Sequence, residues 1–263
     1  MRKIQGLILI FFFLNTIYGQ DSVRQQAGLD WEVFPIISYD TDAGFGYGLK
    51  GYLKNIFNWQ ESYDLILYNS TKGEKWYRFQ FSLPDYEIRH GKNYGFAFDL
   101  IADYDKWISY YFYGLGNNSS YEGREIYTKE LFEFTLLLNK SLSENIIIQG
   151  GLIYKTVLFT SFPVQSLPAN FSFINKANQL SFLINTIYDT RNSTINPDKG
   201  MVVSAGFESA PDFKFTNSSF SKTSLIFQSY NQIVLPVLIL ANRISLQQLI
   251  GNNIPVQFLL PLG

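Results

Sequence analysis

The sequence predicts an all-β protein, specifically an antiparallel β-barrel that crosses a membrane with its strands. The first observation is a period-two alternation of apolar and polar residues, as in 77–83 (YRFQFSL), with almost no helical periodicity. The second is composition: 46% of the 263 residues are hydrophobic and 17% are aromatic. Only 16% are charged, below the roughly 25% of soluble domains. Such a chain exposes apolar side chains to a medium other than water.

Alternation alone fits two architectures. In a soluble sandwich the apolar face of each strand is the core, whereas in a membrane barrel that face meets lipid and the polar face lines the lumen. Charged residues at mid-strand positions favour the barrel, namely Arg78, Asp99, Glu133 and Arg243. The abundant aromatic residues also favour it, because they form girdles where barrels cross the membrane interface.

Residues 1–19 have the pattern of a secretory signal peptide. Arg2 and Lys3 precede a short apolar run at 7–14 (LILIFFFL), and Gly19 supplies the small residue at the expected cleavage point. The alternative is a membrane anchor, but the run is shorter than the about 20 residues that a spanning helix needs. We therefore expect a signal peptide at 1–19, a short periplasmic lead-in at 20–30 and a barrel domain at 31–263.

The alternating pattern predicts about eleven strands. They lie near 31–39, 44–55, 61–70, 75–84, 93–103, 124–139, 144–158, 177–188, 199–209, 219–232 and 238–249. Several have about ten residues, the length that crosses a bilayer at a tilt. We expect loops at 104–123, 159–176 and 210–218 on one side, and shorter turns, including 85–92 and 189–198, on the other.

The residues exclude several classes of function. The chain has no Cys, so disulfides and thiolate chemistry are excluded, and its net charge of −1 does not indicate a nucleic-acid partner. No nucleophile elbow, metalloprotease helix or phosphate loop is present. His90 is the only His, and we interpret it as a solvated turn residue rather than a general base. We expect no enzymatic activity, no cofactor, no metal site and no small-molecule substrate.

The most informative segment is 188–200 (YDTRNSTINPDKG), between two alternating stretches. Asp189 and Arg191 are two residues apart, so they point to the same side of an extended strand. The turn formers that follow, with Pro197 and Gly200, predict a reversal of the chain. We interpret the Asp189–Arg191 pair as a clamp across this turn; the alternative is a solvated pair worth at most about 1 kcal/mol.

Together with two other stretches, this segment resembles the bacterial surface antigen family of BamA/TamA-type outer-membrane barrels. Asp189, Arg191, Pro197 and Gly200 match its hairpin signature. Residues 35–48 (PIISYDTDAGFGYG) resemble its first hairpin, and 111–117 (YFYGLGN) is similar to the aromatic-Gly-x-Gly-Asn stretch of its third outer loop. The positions that carry this outer-loop motif are Tyr113, Gly114, Gly116 and Asn117.

The resemblance implies a sixteen-stranded barrel, of which this chain would supply about eleven strands. Residues 258–263 (FLLPLG) resemble the stretch just before the family's Arg-Gly-aromatic motif, so we expect a copy truncated at Gly263. Members that fold other proteins carry periplasmic POTRA domains, and the lead-in at 20–30 leaves no room for one.

The resemblance also implies a weak seam at the first strand, where client strands add in such barrels. We assign this seam to Pro35, Ser38, Tyr39 and Gly44. Pro35 is expected to interrupt the strand, because proline cannot donate to a ladder, although prolines also protect sheet edges.

By resemblance, we predict a non-enzymatic protein of the bacterial outer membrane that assembles or translocates membrane proteins. Its partners would be outer-membrane lipid and client outer-membrane proteins. The alternative is a passive pore or structural barrel without insertase activity.

Overall fold

A computed structural model describes residues 30–114, 123–166, 174–194, 196–234, 238–251 and 254–259. Eleven strands account for most of this part of the chain. In chain order they are β1 (Asp30–Asp40), β2 (Gly44–Lys54), β3 (Ser62–Ser70), β4 (Lys75–Leu83), β5 (Ala97–Phe112), β6 (Glu125–Ser141), β7 (Ile146–Thr160), β8 (Lys176–Asp189), β9 (Gly200–Ala210), β10 (Phe220–Val234) and β11 (Leu238–Gly251). A one-turn helix α1 (Tyr86–Arg89) precedes β5, and 3₁₀ turns lie at Val164–Ser166 and Val256–Phe258. In the described ranges, no helix is both long and apolar enough to cross a membrane.

All eleven strands form one sheet whose spatial order is the chain order. Every neighbouring pair is antiparallel. Within the described residues β1 and β11 each pair with one strand only, so the sheet is open. The predicted all-β fold with eleven antiparallel strands is therefore confirmed.

Because successive strands run in opposite directions, their connections alternate between two ends of the sheet. We call the end that holds the 190–199 connection between β8 and β9 the turn end, and the opposite end, which holds residues 41–43, the loop end. Helix α1 lies in a connection at the turn end. The 3₁₀ turn Val256–Phe258 follows β11 at the loop end.

The sheet buries polar side chains on one face and exposes apolar side chains on the other, which is the reverse of the arrangement in a soluble protein. In β8, Gln179 and Ser181 are buried, with exposed fractions of 2% and 0%, whereas Phe182 and Ile184 are exposed by 46% and 63%. Polar residues are thus enclosed on an inner face, and apolar residues cover an outer face. This is the arrangement of a membrane barrel and not of a sandwich with an apolar core.

The prediction for the fifth strand was wrong. The strand begins at Ala97 and runs to Phe112, well into the loop expected at 104–123. Asp103, the last residue of the predicted strand, faces Arg78 of β4 on the inner face, with 3.0 Å between their charged groups. Paired in this way, the carboxylate is compatible with a strand. A register shift between Trp107 and Tyr110 then continues the pairing with β6.

The expected interruption of β1 at Pro35 is also absent. Strand β1 continues through Pro35, which lies opposite Leu49 of β2. Because β1 pairs on one side only, a missing amide hydrogen is compatible with this position at the edge of the sheet.

Candidate functional site

The inner face carries matched charges on neighbouring strands. Lys155 of β7 lies opposite Glu133 of β6, with 2.7 Å between their charged groups. Lys222 of β10 forms an ion pair with Glu208 of β9, and Glu208 also accepts hydrogen bonds from two polar side chains of β8. These charges are tolerated because each one has a partner. Mid-strand charges of this kind are what the sequence analysis predicted for the polar face, at Arg78, Asp99, Glu133 and Arg243.

At the turn end, the connection between β4 and β5 folds against the inner face. We call its residues 85–94 the plug. Asp85 is fully buried and caps α1 by accepting hydrogen bonds from the amides of Glu87 and Ile88 at 3.0 and 3.3 Å. The Tyr52 hydroxyl on β2 donates to the same carboxylate at 2.7 Å. Burial alone would raise the pKa of Asp85, but hydrogen bonds such as that from Tyr52, together with nearby Lys54, hold it below its ordinary value.

A buried polar chain joins the plug to three strands. The Arg89 guanidinium donates to Asp99 of β5 at 2.7 Å, and the side chains of both residues are at most 5% exposed. Asn139 of β6 donates to the same Asp99 oxygen at 2.7 Å and accepts from Gln149 of β7 at 2.7 Å. The ring of Tyr86 covers the guanidinium at 4.0 Å. Together these contacts hold the plug against the wall of the sheet.

The far side of the plug meets the β8–β9 turn at residues 189–200, which we call the signature turn. His90 Nε2 lies 3.9 Å from a carboxylate oxygen of Asp189, and the His90 side chain is only 12% exposed. The interpretation of His90 as a solvated turn residue was therefore wrong, because the plug folds inward. A cavity of about 180 Å³ lies between the plug and the wall, lined in part by Tyr86, Tyr94 and Val202.

At the start of the signature turn, Asp189 and Arg191 form the ion pair that the sequence predicted. Arg191 donates to both carboxylate oxygens of Asp189 at 2.7 to 3.2 Å. The side-chain carbonyl of Asn192 accepts hydrogen bonds from the backbone amides of Asp198 and Lys199. Pro197 and Gly200 flank these two residues. Gly200 has φ +100°, and a Cβ there would overlap the Thr190 carbonyl. The geometry is that of a braced turn; its role as a clamp remains a proposal.

The predicted seam residues lie together on the first hairpin. The Ser38 hydroxyl is 3.1 Å from that of Tyr68 on β3, and Tyr39 is 70% exposed at the outer face. The Asp40 carboxylate accepts from the amides of Asp42 and Ala43, and Gly44 follows with φ +80°. These contacts brace a tight turn between β1 and β2.

The outer-loop motif is described only in part. Tyr113 and Gly114 follow the last residue of β5, and Gly114 has φ +95°. Gly116 and Asn117 lie outside the described residues, as does the predicted signal peptide.

The loop end holds a buried apolar cluster on the inner side. Its buried members are Phe112, Tyr127, Val157, Phe159 and Phe162. The 3₁₀ turn after β11 packs against this cluster through Val256 and Phe258. Beside it, a cavity of about 350 Å³ is lined by charged and amide side chains that include Lys129, Lys155, Gln179, Glu208, Lys222 and Gln257.

Sequence reasoning missed the plug residues Asp85 and Arg89, and Asn139 of β6, which contacts the same carboxylate as Arg89. Alternation placed Asp99 on the inner face but did not indicate its partner. The one available signal was the Pro84-Asp85 pair, since Asp is a preferred N-cap. Within the described residues, no group of His, Asp and Glu is arranged to hold a metal ion.

Comparison with known proteins gives one family match and a similar fold. The model of the Omp85 superfamily domain matches residues 61–257. The crystal structure of BamA from Haemophilus ducreyi lacking POTRA domains 1–3 is similar to this chain, with a TM-score of 0.55 and 13% sequence identity. The similarity covers 85% of this chain and 41% of that one, so this chain spans less than half of the similar protein. No curated protein sequence matches.

Proposed function

The chain belongs to the Omp85 superfamily, and we propose that it is an outer-membrane β-barrel that assembles or translocates other proteins without enzymatic chemistry. Its reversed faces support the placement in lipid, because the apolar outer face would otherwise lie in water. The bacterial outer membrane is the compartment in which such barrels reside. We propose that the turn end lies in the periplasm and the loop end outside the cell.

The observation that carries the assembly role is the free edge of β1. This strand pairs with β2 over eleven residues, Asp30 to Asp40, and its other edge has no partner strand in the described chain. A free edge offers backbone amides and carbonyls to an incoming strand, which is the mode of recognition called β-augmentation. The clients would be strands of outer-membrane proteins.

The domain assignment belongs to the same proposal. We propose a signal peptide at 1–19, a lead-in at 20–30 and a barrel domain at 31–263. At the turn end, the plug and the Asp189–Arg191 pair would together brace the periplasmic side of the barrel.

Photocrosslinking tests the assembly role. A photoreactive residue at Ser38, in the edge strand, should form adducts with newly made outer-membrane proteins in cells. The matched control is Leu67, which lies on β3 between two paired strands and is 38% exposed. If a correctly inserted protein gives no adduct from Ser38, or equal adducts from both positions, the edge is not a client site.

A passive pore is the second candidate, and the paired charges of the inner face favour it. Charged residues on this face extend from Arg78 on β4 to Lys222 on β10. A polar lumen of this kind conducts ions if it is open. Steady conductance in planar bilayers, with no client adduct in cells, would support the pore in place of the assembly role.

A further inference from the structure

On the outer face at the loop end, two lysines lie directly opposite each other. Lys75 begins β4, and its register partner on β5 is Lys106. Lys75 shares a face with Tyr77 and Phe79, because these residues are spaced by two along the strand. Like charges placed opposite each other on neighbouring strands are destabilising. The pair therefore indicates a position where an anion would be favourable.

The next strand supplies one carboxylate, whose oxygens already have donors. Glu130 on β6 lies opposite Lys106. Its Oε1 is 2.7 Å from the Lys106 ammonium, and its Oε2 accepts from the Tyr104 hydroxyl at 3.2 Å. Among the described residues, Lys75 has no carboxylate within 4.0 Å. The three side chains together carry a net charge of +1, with ammonium donors left over on both lysines.

Just below the lysines is a pair of tyrosines suited to a membrane interface. The rings of Tyr77 and Tyr104 stack with centroids 5.8 Å apart. The Tyr77 hydroxyl donates to Asn69 at 2.6 Å, so both hydroxyl groups are held. Tyrosines concentrate at the level of lipid headgroups. Two residues further along each strand, the lysines lie about 6.6 Å beyond that level.

We propose that Lys75 and Lys106 bind the phosphate group of a lipid in the leaflet that surrounds the loop end. This inference depends on the proposed placement of the outer face in lipid. A phosphomonoester carries about −1.5 to −2 charges and three acceptor oxygens, enough for ammonium groups on two strands. The acyl chains of the same lipid would lie against the apolar side chains below, beginning with Phe79.

The test measures lipid binding to the full-length protein purified from membranes. Native mass spectrometry in detergent compares phosphatidic acid with diacylglycerol of the same acyl chains, and a further arm adds inorganic phosphate as a competitor. We expect phosphatidic acid to bind more tightly than diacylglycerol. Lys75→Gln and Lys106→Gln should each weaken that preference about fivefold, and the double variant about thirtyfold. Strong competition by inorganic phosphate would identify a free-anion site and overturn the lipid assignment.

Three further variants separate this site from general electrostatics and from misfolding. Lys176 on β8 is an outer-face lysine at the same end without a lysine opposite it, since its register partner is Leu158. Lys140 on β6 faces outward near the turn end, with its ammonium 5.4 Å from the Phe96 ring. Lys176→Gln and Lys140→Gln should change the preference less than twofold. Glu130→Gln should strengthen phosphate binding, because it removes the only carboxylate of the site.

Two results would overturn the inference. One is equal binding by wild type and the double variant, and the other is an equal loss in Lys176→Gln. Heat-dependent gel mobility of each variant reports whether the protein is folded. A protein absent from the membrane fraction would contradict the proposed function. A folded membrane protein without the lysine dependence would contradict this inference alone.

Discussion

Arg89 of the plug and Asp99 of β5 form an ion pair of 2.7 Å whose two side chains are almost completely buried. The pair joins a connection at the turn end to the inner wall of the sheet. Asp99 is further held by Asn139, so the contact belongs to a chain that crosses three strands. A buried charge of this kind tolerates the loss of its partner poorly.

We predict that Arg89→Ala destabilises the folded protein by about 3–5 kcal/mol, because Asp99 is left as a buried charge without its cation. Urea unfolding followed by tryptophan fluorescence measures the change. The matched control is Lys50→Ala, which breaks an ion pair of 3.3 Å with Asp64 whose side chains are 46% and 23% exposed. That control should cost at most about 1 kcal/mol. Equal effects in the two variants would mean that the plug is not anchored by Arg89.

Replacement of Gly200 by alanine should destabilise the signature turn by about 1–3 kcal/mol. Gly200 has φ +100°, and a Cβ would crowd the Thr190 carbonyl and the Arg191 backbone. Gly150 on β7 is the control, since a Cβ there meets nothing within 4 Å. The midpoint of unfolding should be lower for Gly200→Ala than for Gly150→Ala. A Gly200→Ala protein as stable as Gly150→Ala would show that the turn adapts easily.

The proposed clamp predicts that Arg191→Ala lowers both assembly yield and stability, by about 1.5–3 kcal/mol. Asp189 would lose the guanidinium that donates to both of its oxygens. Arg191→Lys should restore only part of the loss, because an ammonium cannot reproduce the two parallel hydrogen bonds. Assembly in full-length protein is read from membrane yield and melting temperature. If the Arg191→Ala protein has the membrane yield and melting temperature of wild type, the proposed clamp is wrong.

The turn between β2 and β3 should lose stability in acid through Glu61. This residue is fully buried, and its carboxylate accepts from the amides of Phe57 and Trp59 at 2.6 and 3.0 Å. Burial alone would raise the pKa of Glu61, but these backbone hydrogen bonds outweigh it and lower the pKa below its ordinary 4.5. A lowered pKa contributes stability above the unfolded value, and that contribution is lost as pH falls through the folded value.

Melting temperatures measured from pH about 6 to about 3 test this sign. The Glu61→Gln protein should be less stable than wild type near neutral pH, and the difference should shrink below pH 4.5. A difference that stays constant across the range would exclude Glu61 as the titrating group.

Most of the scaffold could be predicted from sequence, because each strand has its own local signature. Alternation in residues 77–83 was enough to place β4, and the turn formers after Asp189 placed the β8–β9 reversal. The family resemblance is confirmed by the Omp85 match. Strand β5 was missed beyond residue 103, because its continuation depends on pairing with β4 and, across a register shift, with β6.

The plug could not be predicted for the same physical reason. Helix α1 has four residues, too few for any periodicity, and its stability depends on contacts with Tyr52 and Asp99, which lie in two different strands. His90 was misassigned because a turn rich in Gly and charge is usually solvated. The inward fold of the whole connection, and not any feature of His90 itself, buries its side chain.

The number of strands determines whether the two edge strands could close the sheet by parallel or by antiparallel pairing. The described residues form eleven strands, an odd number, and each strand reverses the direction of the one before, so β1 and β11 point the same way. If these two edges met directly, they would have to pair in parallel. An antiparallel seam requires an odd number of intervening strands, from this polypeptide or from another. The complete barrel would then have an even number of strands.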